Sequence, residues 1–297
     1  MQNKNTKYLV LALFSCLIWA GSFVIARGVH NFIPPITLAF WRWIVAFVVM
    51  LAISYKKISS QIQIIKKNWK YIFLMGFFAV GVFNTIVYIS AHYTTAHHIS
   101  LISSISPIGT LVIAGILGFE ALTKNKIIGA IIAFTGAIIV ISHGSFEFLM
   151  KLKWNLGDLM LISSALIWAS WSAMLHYKPK DLDAKVFLTL QIFVGLIFLF
   201  PLYIWEYLSV AETPFTFDAW SVYIYLGVGS SCLAWLAWQE STKRVGAVQT
   251  SLIYYTMPVF TSILAVITLS EPLKLYHFLG FTFILVGILV SIRKSKS

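Results

Sequence analysis

The sequence predicts an all-α integral membrane protein in which ten transmembrane helices form two inverted five-helix repeats. Three observations lead to this prediction: an apolar composition, ten apolar stretches of membrane-spanning length, and an internal repeat. Of the 297 residues, 59% are apolar and 11% are charged, and the mean hydropathy is +0.86. A water-soluble domain needs more polar surface than this composition supplies, whereas hydrocarbon as the main solvent accounts for it.

The ten apolar stretches are each close to the length that crosses a bilayer as a helix, about 20 residues. Helices are predicted because an open-ended segment in lipid must satisfy its backbone hydrogen bonds internally. The predicted spans are 8–27, 36–55, 71–91, 97–118, 126–143, 157–177, 185–206, 220–241, 248–269 and 275–293.

Basic residues predict the orientation of these spans, because Lys and Arg concentrate in cytoplasmic connections. With the N-terminus inside, 17 basic residues fall on the cytoplasmic side and four on the other, and Arg42 within the second span completes the 22. Both termini are therefore predicted to be cytoplasmic, with the protein in the plasma (inner) membrane. The net charge of +12 then faces anionic lipid, so the lipid bilayer rather than nucleic acid is the expected partner.

An internal repeat divides the chain into residues 1–150 and 151–297, which are predicted to be two equivalent five-helix units. The run Leu-Ile-Trp-Ala at 17–20 recurs at 166–169, an offset of 149. Four further pairs share an offset of 151: Pro107/Pro258, Glu120/Glu271, Gly129/Gly280 and Gly136/Gly287. Since five spans are an odd number, the second unit enters the membrane in the opposite sense, as in many secondary transporters.

These landmarks resemble the drug/metabolite transporter superfamily in its EamA-type branch, over essentially the whole chain. The resemblance rests on Trp19 and Trp168, on Arg42 in its aromatic surroundings at 38–43, and on the repeated Pro, Glu and Gly pairs. It implies a carrier of small solutes, in a family whose members transport amino acids, nucleotide-like metabolites and other small molecules. It also implies that the first, third, sixth and eighth helices help to line the cavity. One departure from symmetry is that Gln191 occupies the position equivalent to Arg42.

Seven residues are predicted to bind the solute. Arg42 lies about 10 Å deep in its span, where a charge either anchors a solute near the pathway, or snorkels outward, or braces neighbouring helices through backbone carbonyls. Rings well inside the spans either wall a cavity for an amphipathic solute or simply pack, and His92 is placed next to the vestibule. The candidates are Trp19, Arg42, Tyr88, His92, Trp168, Trp235 and Tyr254.

Other paired or polar residues are predicted to have local roles. Glu120 and Glu271 either stabilise the N-terminus of the following helix or couple protons. Glu240 either forms a local ion pair with Lys243 or Arg244 on the same helix face or couples protons. The Pro107/Pro258 breaks either free backbone groups for binding or serve packing. Glycines seven residues apart, such as Gly129 and Gly136, favour close helix packing.

No enzyme or cofactor site is expected. Cys16 and Cys232 lie in apolar runs and lack the spacing of metal ligands, and the histidines His92, His97 and His98 lack a zinc motif. No nucleophile with its base is evident at membrane depth. The predicted function is therefore alternating-access transport of small metabolites, with amino acids or related amphipathic solutes as the leading class. A passive channel or a membrane-embedded enzyme is the alternative.

Overall fold

A computed structural model describes residues 2–29, 32–90, 93, 96–151, 155–210, 212–269 and 274–293. These residues form α-helices with short π-helical and 3₁₀ segments, and no β-strand occurs among them. The helices are α1 (Gln2–Val29), α2 (Pro35–Ser60), α3 (Ile62–Lys67), α4 (Trp69–Ser90), α5 (Ala96–Ser103), α6 (Ser106–Ile116), α7 (Lys124–Ile141), α8 (Phe146–Met150), α9 (Leu156–Tyr177), α10 (Ala184–Ser209), α11 (Phe217–Val245), α12 (Ala247–Ile253), α13 (Met257–Leu269) and α14 (Leu275–Ile292).

Seven of the helices described are long and apolar enough to cross a membrane: α2, α4, α7, α9, α10, α11 and α14. Shorter apolar helix occupies Thr6–Ser22 within α1 and Leu101–Ile116 across α5 and α6. The all-helical membrane class predicted from the composition is thus confirmed. The ten spans and the inverted repeat stay predictions.

The two halves of the chain interleave rather than fold side by side. Helix α1 packs against α11 and α13, and α9 packs against α4 and α6. Helix α2 packs along α10, and α7 packs along α14. Every one of these contacts joins one half of the sequence to the other, so the space between the halves lies inside the bundle.

Glycines hold α7 and α14 at close range. A Cβ atom on Gly129 would lie 2.5 Å from the carbonyl oxygen of Gly287, and one on Gly136 would lie 2.6 Å from that of Gly280. Neither distance is compatible with a side chain, so the backbones approach as closely as small residues permit. The close packing predicted from the seven-residue glycine spacing is confirmed.

A second pair of glycines sits where α4 and α11 cross α10 and α2. A Cβ on Gly76 would lie 2.7 Å from the Gln191 carbonyl oxygen, and one on Gly227 would lie 2.8 Å from that of Arg42. Gly76 directly precedes a π-helix, Phe77–Phe83 in α4, and Gly227 lies within another, Tyr225–Leu233 in α11. Such π-helical turns are rare and are frequently found at functional sites.

Both predicted proline interruptions are present. Helix α5 ends at Ser103, and α6 begins at Ser106 with Pro107 in its first turn. In the other half, a 3₁₀ turn at Tyr254–Thr256 precedes α13, which has Pro258 as its second residue. Proline is tolerated in a first helical turn because the amide it lacks has no intrahelical partner there.

Two glutamates stabilise helix starts that lie far away in the sequence. The carboxylate of Glu206 accepts hydrogen bonds from the backbone amides of Ile36 (3.0 Å) and Thr37 (2.6 Å) at the start of α2. Glu120 accepts one from the amide of Val248 at 3.1 Å and pairs with Lys126. A carboxylate at a helix N-terminus also interacts favourably with the helix dipole.

The predicted role of Glu120 therefore needs a correction. It stabilises α12 in the other half of the chain instead of the following helix α7, whose cap is the hydroxyl of Thr123. The reason is that chain reversal at 117–123 turns Glu120 toward α12. Its repeat partner Glu271 lies outside the described residues. Glu240 pairs with Arg244 at 2.8 Å, which confirms the local ion pair.

Asp183 ties the connection between α9 and α10 to the end of α2. Its carboxylate lies 2.6 Å from Lys57 Nζ and also accepts from the backbone amide of Lys185. Partial burial raises the pKa of Asp183. Its hydrogen-bond donors together lower the pKa by more than burial raises it, so the pKa lies below its ordinary value. The ion pair is half-exposed, and its contribution to stability is correspondingly small.

Candidate functional site

A cavity of about 80 Å³ lies between the two halves of the bundle. Its wall is built from α1, α2, α4, α5, α6, α9 and α11, together with the 3₁₀ turn before α13. The side chains that line it include six of the seven predicted solute-binding residues: Trp19, Arg42, Tyr88, Trp168, Trp235 and Tyr254.

The structure thus brings together residues that are separated by up to 235 positions in the sequence. His92, the seventh candidate, lies outside the described residues. Trp171, another ring deep in its predicted span, is not part of the wall but packs behind it, 4.7 Å from the Trp235 ring. Solute binding by the six wall residues stays a prediction, because their convergence alone does not identify a ligand.

Arg42 turns its guanidinium group inward. Its side chain is 5% exposed; Nε donates to the Ser231 hydroxyl at 3.1 Å and Nη1 donates to the Tyr88 hydroxyl at 2.6 Å. The Trp43 ring lies 4.9 Å from the guanidinium carbon. Of the predicted alternatives, outward snorkelling is wrong, because every one of these contacts is inside the bundle.

No carboxylate neutralises this charge within the part of the chain that the structure describes. In the ion pairs found there, the basic partners of the carboxylates are Lys57, Lys126, Lys151 and Arg244. A buried cation without a counter-ion is costly, and such residues in membrane proteins characteristically face a cavity or a partner of opposite charge. A negatively charged group is therefore the chemical complement of Arg42.

Aromatic rings form another part of the wall. The Trp19 and Trp168 rings meet edge to face with centroids 5.3 Å apart, and the Trp168 and Trp235 rings do so at 5.7 Å. Tyr254 stands 6.4 Å from Trp168. Edge-to-face rings at these distances attract one another and hold a rigid apolar surface. The Nε1 atom of Trp19 donates to the Ser230 carbonyl at 3.1 Å, which fixes this ring further.

The remaining polar wall residues were not predicted from the sequence. They are Ser22, Asn84, Ser103, Ser106, Ser164 and Ser230. Serine is common in membrane helices, where its hydroxyl donates a hydrogen bond to a backbone carbonyl of the preceding turn. Ser22 donates in this way to the Ile18 carbonyl. The one usable signal was the helix break before Pro107, because Ser103 and Ser106 flank it.

The chemical character of the cavity follows from this wall. Among its described residues Arg42 is the one permanent charge, and the others are hydroxyls, an amide and apolar or aromatic groups. Nor do the described residues contain a cluster of three or more His, Cys, Asp or Glu side chains. The site is equipped to hold an amphipathic molecule, with its anionic end at Arg42 and its apolar part against the rings.

Comparison with known proteins places the chain in a family. The model of the EamA-like transporter family matches residues 6–142 and 155–293. The chain belongs to the EamA-like transporter family. An uncharacterized transporter of Bacillus subtilis, YyaM, is 25% identical over 96% of this EamA-like chain and 92% of its own length. An uncharacterized transporter of Archaeoglobus fulgidus is 25% identical over 98% and 99%, respectively.

A solved crystal structure shares the fold of this EamA-like protein. It superimposes with a TM-score of 0.77 at 15% sequence identity, covering 97% of this chain and 96% of the other. Family, named relatives and apolar helices together identify an integral membrane protein of a transporter family. They point to transport rather than enzymatic catalysis.

Proposed function

We propose that this EamA-like protein carries small amphipathic metabolites, with amino acids as the leading class, by alternating access through the central cavity. The observation that carries the proposal is the buried guanidinium of Arg42, which pairs with no carboxylate of the described residues and lines the same cavity as the rings of Trp19 and Trp168. A carboxylate binds such a group through charge-assisted hydrogen bonds, and the rings accept the apolar part. In this state the cavity, of about 80 Å³, has room for roughly five to eight waters.

Matched contacts support two inverted repeats as the basis of alternating access. The crossing of Gly76 with Gln191 corresponds to that of Gly227 with Arg42, at offsets of 151 and 149. The family model also matches the chain twice, once in each half. Two similar units of opposite orientation provide two near-equivalent states, one open to each side of the membrane. We accordingly assign ten spans, five in each of the units 1–150 and 151–297.

The proposed location is the plasma (inner) membrane with both termini cytoplasmic. The basis is the unequal distribution of 17 and four basic residues between the two sides.

Topology reporters test this orientation. A cytoplasmic reporter fused after Ser297 is expected to be active, and the same reporter inserted in the 209–218 connection is expected to be silent. A periplasmic reporter should give the reverse pattern. Equal signals at the two positions would contradict the arrangement of ten spans, since the two sites are separated by an odd number of crossings.

Transport is proposed to run mainly down the gradient of the solute itself. The described wall residues include no carboxylate and no histidine, which are the groups that relay protons through membrane proteins. Proton coupling through Glu240 or His92 is the alternative, and it predicts concentrative uptake that follows an imposed pH gradient.

Uptake into proteoliposomes tests the proposed function. A suitable panel comprises phenylalanine, its decarboxylated amine phenethylamine and its deaminated acid 3-phenylpropionate, each with and without a pH gradient. We expect saturable, unmodified uptake of the two carboxylates and little uptake of the amine. Uptake that never saturates would indicate a channel, chemical conversion an enzyme, and preference for the amine would refute the assigned role of Arg42.

A further inference from the structure

The wall of the cavity is only partly symmetric between the two repeats. Equivalent positions that both line the cavity are Trp19/Trp168 at an offset of 149, and Asn84/Trp235 and Ser103/Tyr254 at an offset of 151. These matched members surround the point about which the two halves are related. The cavity therefore lies at the centre of the repeat and extends from there toward one end of the bundle.

Several wall residues at that end have counterparts that do not line the cavity, among them Ser22, Arg42 and Tyr88. Ser22, Arg42 and Tyr88 lie near the end of the bundle where α1 and α4 finish and α2 starts. At the same offsets of 149 and 151 their counterparts are Trp171, Gln191 and Gln239.

All three counterparts carry buried polar atoms without a partner. The indole nitrogen of Trp171 and both side-chain polar atoms of Gln191 and Gln239 make no hydrogen bond to the described part of the chain. The residues are 2%, 0% and 4% exposed, respectively. Unsatisfied buried polar groups destabilise a fold, and they are rare enough that each needs an explanation. These three residues occupy positions equivalent to polar residues of the cavity wall, which favours one explanation for all of them.

The three counterparts lie close to Trp235, outside the cavity wall. The Trp235 ring belongs to the cavity and lies 4.7 Å from that of Trp171. Gln239 follows Trp235 by four residues on α11, so the two side chains share one helix face. Gln191 belongs to α10, which packs against this part of α11. These residues lie near the end of the bundle that carries the 178–183 connection.

We infer that Trp171, Gln191 and Gln239 form a second solute site, closed here, that lines the cavity when the transporter opens toward the 178–183 connection. This site is hereafter the counter-site, and the inference rests on the proposed alternating access. In that state the three polar groups are wetted or bind the solute, just as Ser22, Arg42 and Tyr88 line the cavity now. The cost of leaving them unpaired is then confined to one of the two states.

The counter-site takes the same class of solute with weaker polar contacts. The two glutamine amides donate and accept neutral hydrogen bonds, whereas Arg42 offers charge-assisted ones to a carboxylate. A carboxylate is consequently held more tightly when the cavity opens on the Arg42 side. The two directions of transport are thus inequivalent at the level of solute affinity.

Leucine substitutions separate a transport role from a structural one. We expect Gln191→Leu and Gln239→Leu each to raise the melting temperature in detergent, because leucine removes unpaired amides from a buried position. Uptake of phenylalanine should fall at least tenfold at equal expression. Thr282→Val, on an exposed face of α14, serves as the control and should change neither quantity. A lowered melting temperature, or uptake equal to wild type in both variants, would overturn the counter-site.

Cysteine accessibility tests the inference without a known solute. A charged, membrane-impermeant thiol reagent is applied separately to each side of vesicles bearing Gln239→Cys or Tyr88→Cys. We expect the first to react only from the side of the 178–183 connection and the second only from the opposite side. Leu285 lies on an apolar face of α14 and is 59% exposed. The Leu285→Cys variant should react from neither side of the vesicle.

The outcomes distinguish this inference from the proposed function. Failure of Gln239→Cys to react above the Leu285→Cys background from either side, with uptake by the wild type intact, would refute the counter-site and leave the transport function standing. Reaction at Gln239→Cys from the expected side would support the counter-site even if no member of the solute panel is transported.

Discussion

Arg42→Gln is expected to reduce uptake of a carboxylate-bearing solute by about 100-fold. The variant removes a buried charge whose hydrogen bonds to an anionic group contribute about 1.5–3 kcal/mol each, and about 1.4 kcal/mol corresponds to a tenfold change in affinity. The measurement is initial uptake of 3-phenylpropionate or phenylalanine in proteoliposomes as a function of concentration. The loss should appear mainly as weaker apparent affinity.

Two further variants make this result specific. Arg42→Lys keeps the charge but not the planar guanidinium, which now contacts both Ser231 and Tyr88, so an intermediate loss is expected. Arg244→Gln, at an exposed position, should retain uptake. An equal loss for a carboxylate and for its uncharged amide would show that Arg42 only braces α2 against α4 and α11.

Trp168→Ala is expected to lower uptake at least tenfold, whereas Trp205→Ala should leave it near the wild-type value. The Trp168 ring contacts the rings of Trp19, Trp235 and Tyr254, so its loss opens the apolar wall of the cavity. Trp205 is 57% exposed at the outside of α10. Uptake rates are to be compared at equal amounts of folded protein.

Trp43 is not a suitable control for this experiment. Trp43 is adjacent to Arg42 in sequence and is fully buried against Trp235 at 5.3 Å, so Trp43→Ala would unfold or distort the site. Truncation of a buried tryptophan costs about 3–5 kcal/mol, and Trp168→Phe is therefore measured as well. Restoration of stability without uptake in Trp168→Phe supports a solute contact. Full uptake in Trp168→Ala would leave the ring with a packing role alone.

Much of the fold was available from the sequence for a simple reason. Hydropathy reports the solvent of each segment, and the bilayer thickness converts an apolar run into a helix of known length. Repeated landmarks such as Trp19 and Trp168 then predict which positions are equivalent. Hydropathy also gives the depth of a residue within its span. Six candidates selected for their position in the spans are found at one cavity, and their role in binding stays a prediction.

What only the tertiary structure decided is which residues meet across the bundle. Arg42 bonds to Ser231 and Tyr88, 189 and 46 residues away, and Glu120 stabilises a helix start 128 residues away. Composition and periodicity determine the environment of a side chain but not its partner, because partners depend on how helices of similar hydropathy pack. The inward turn of Arg42 and the unpaired amides of Gln191 and Gln239 are therefore properties of the packed bundle, while the all-helical membrane class was already determined by the sequence.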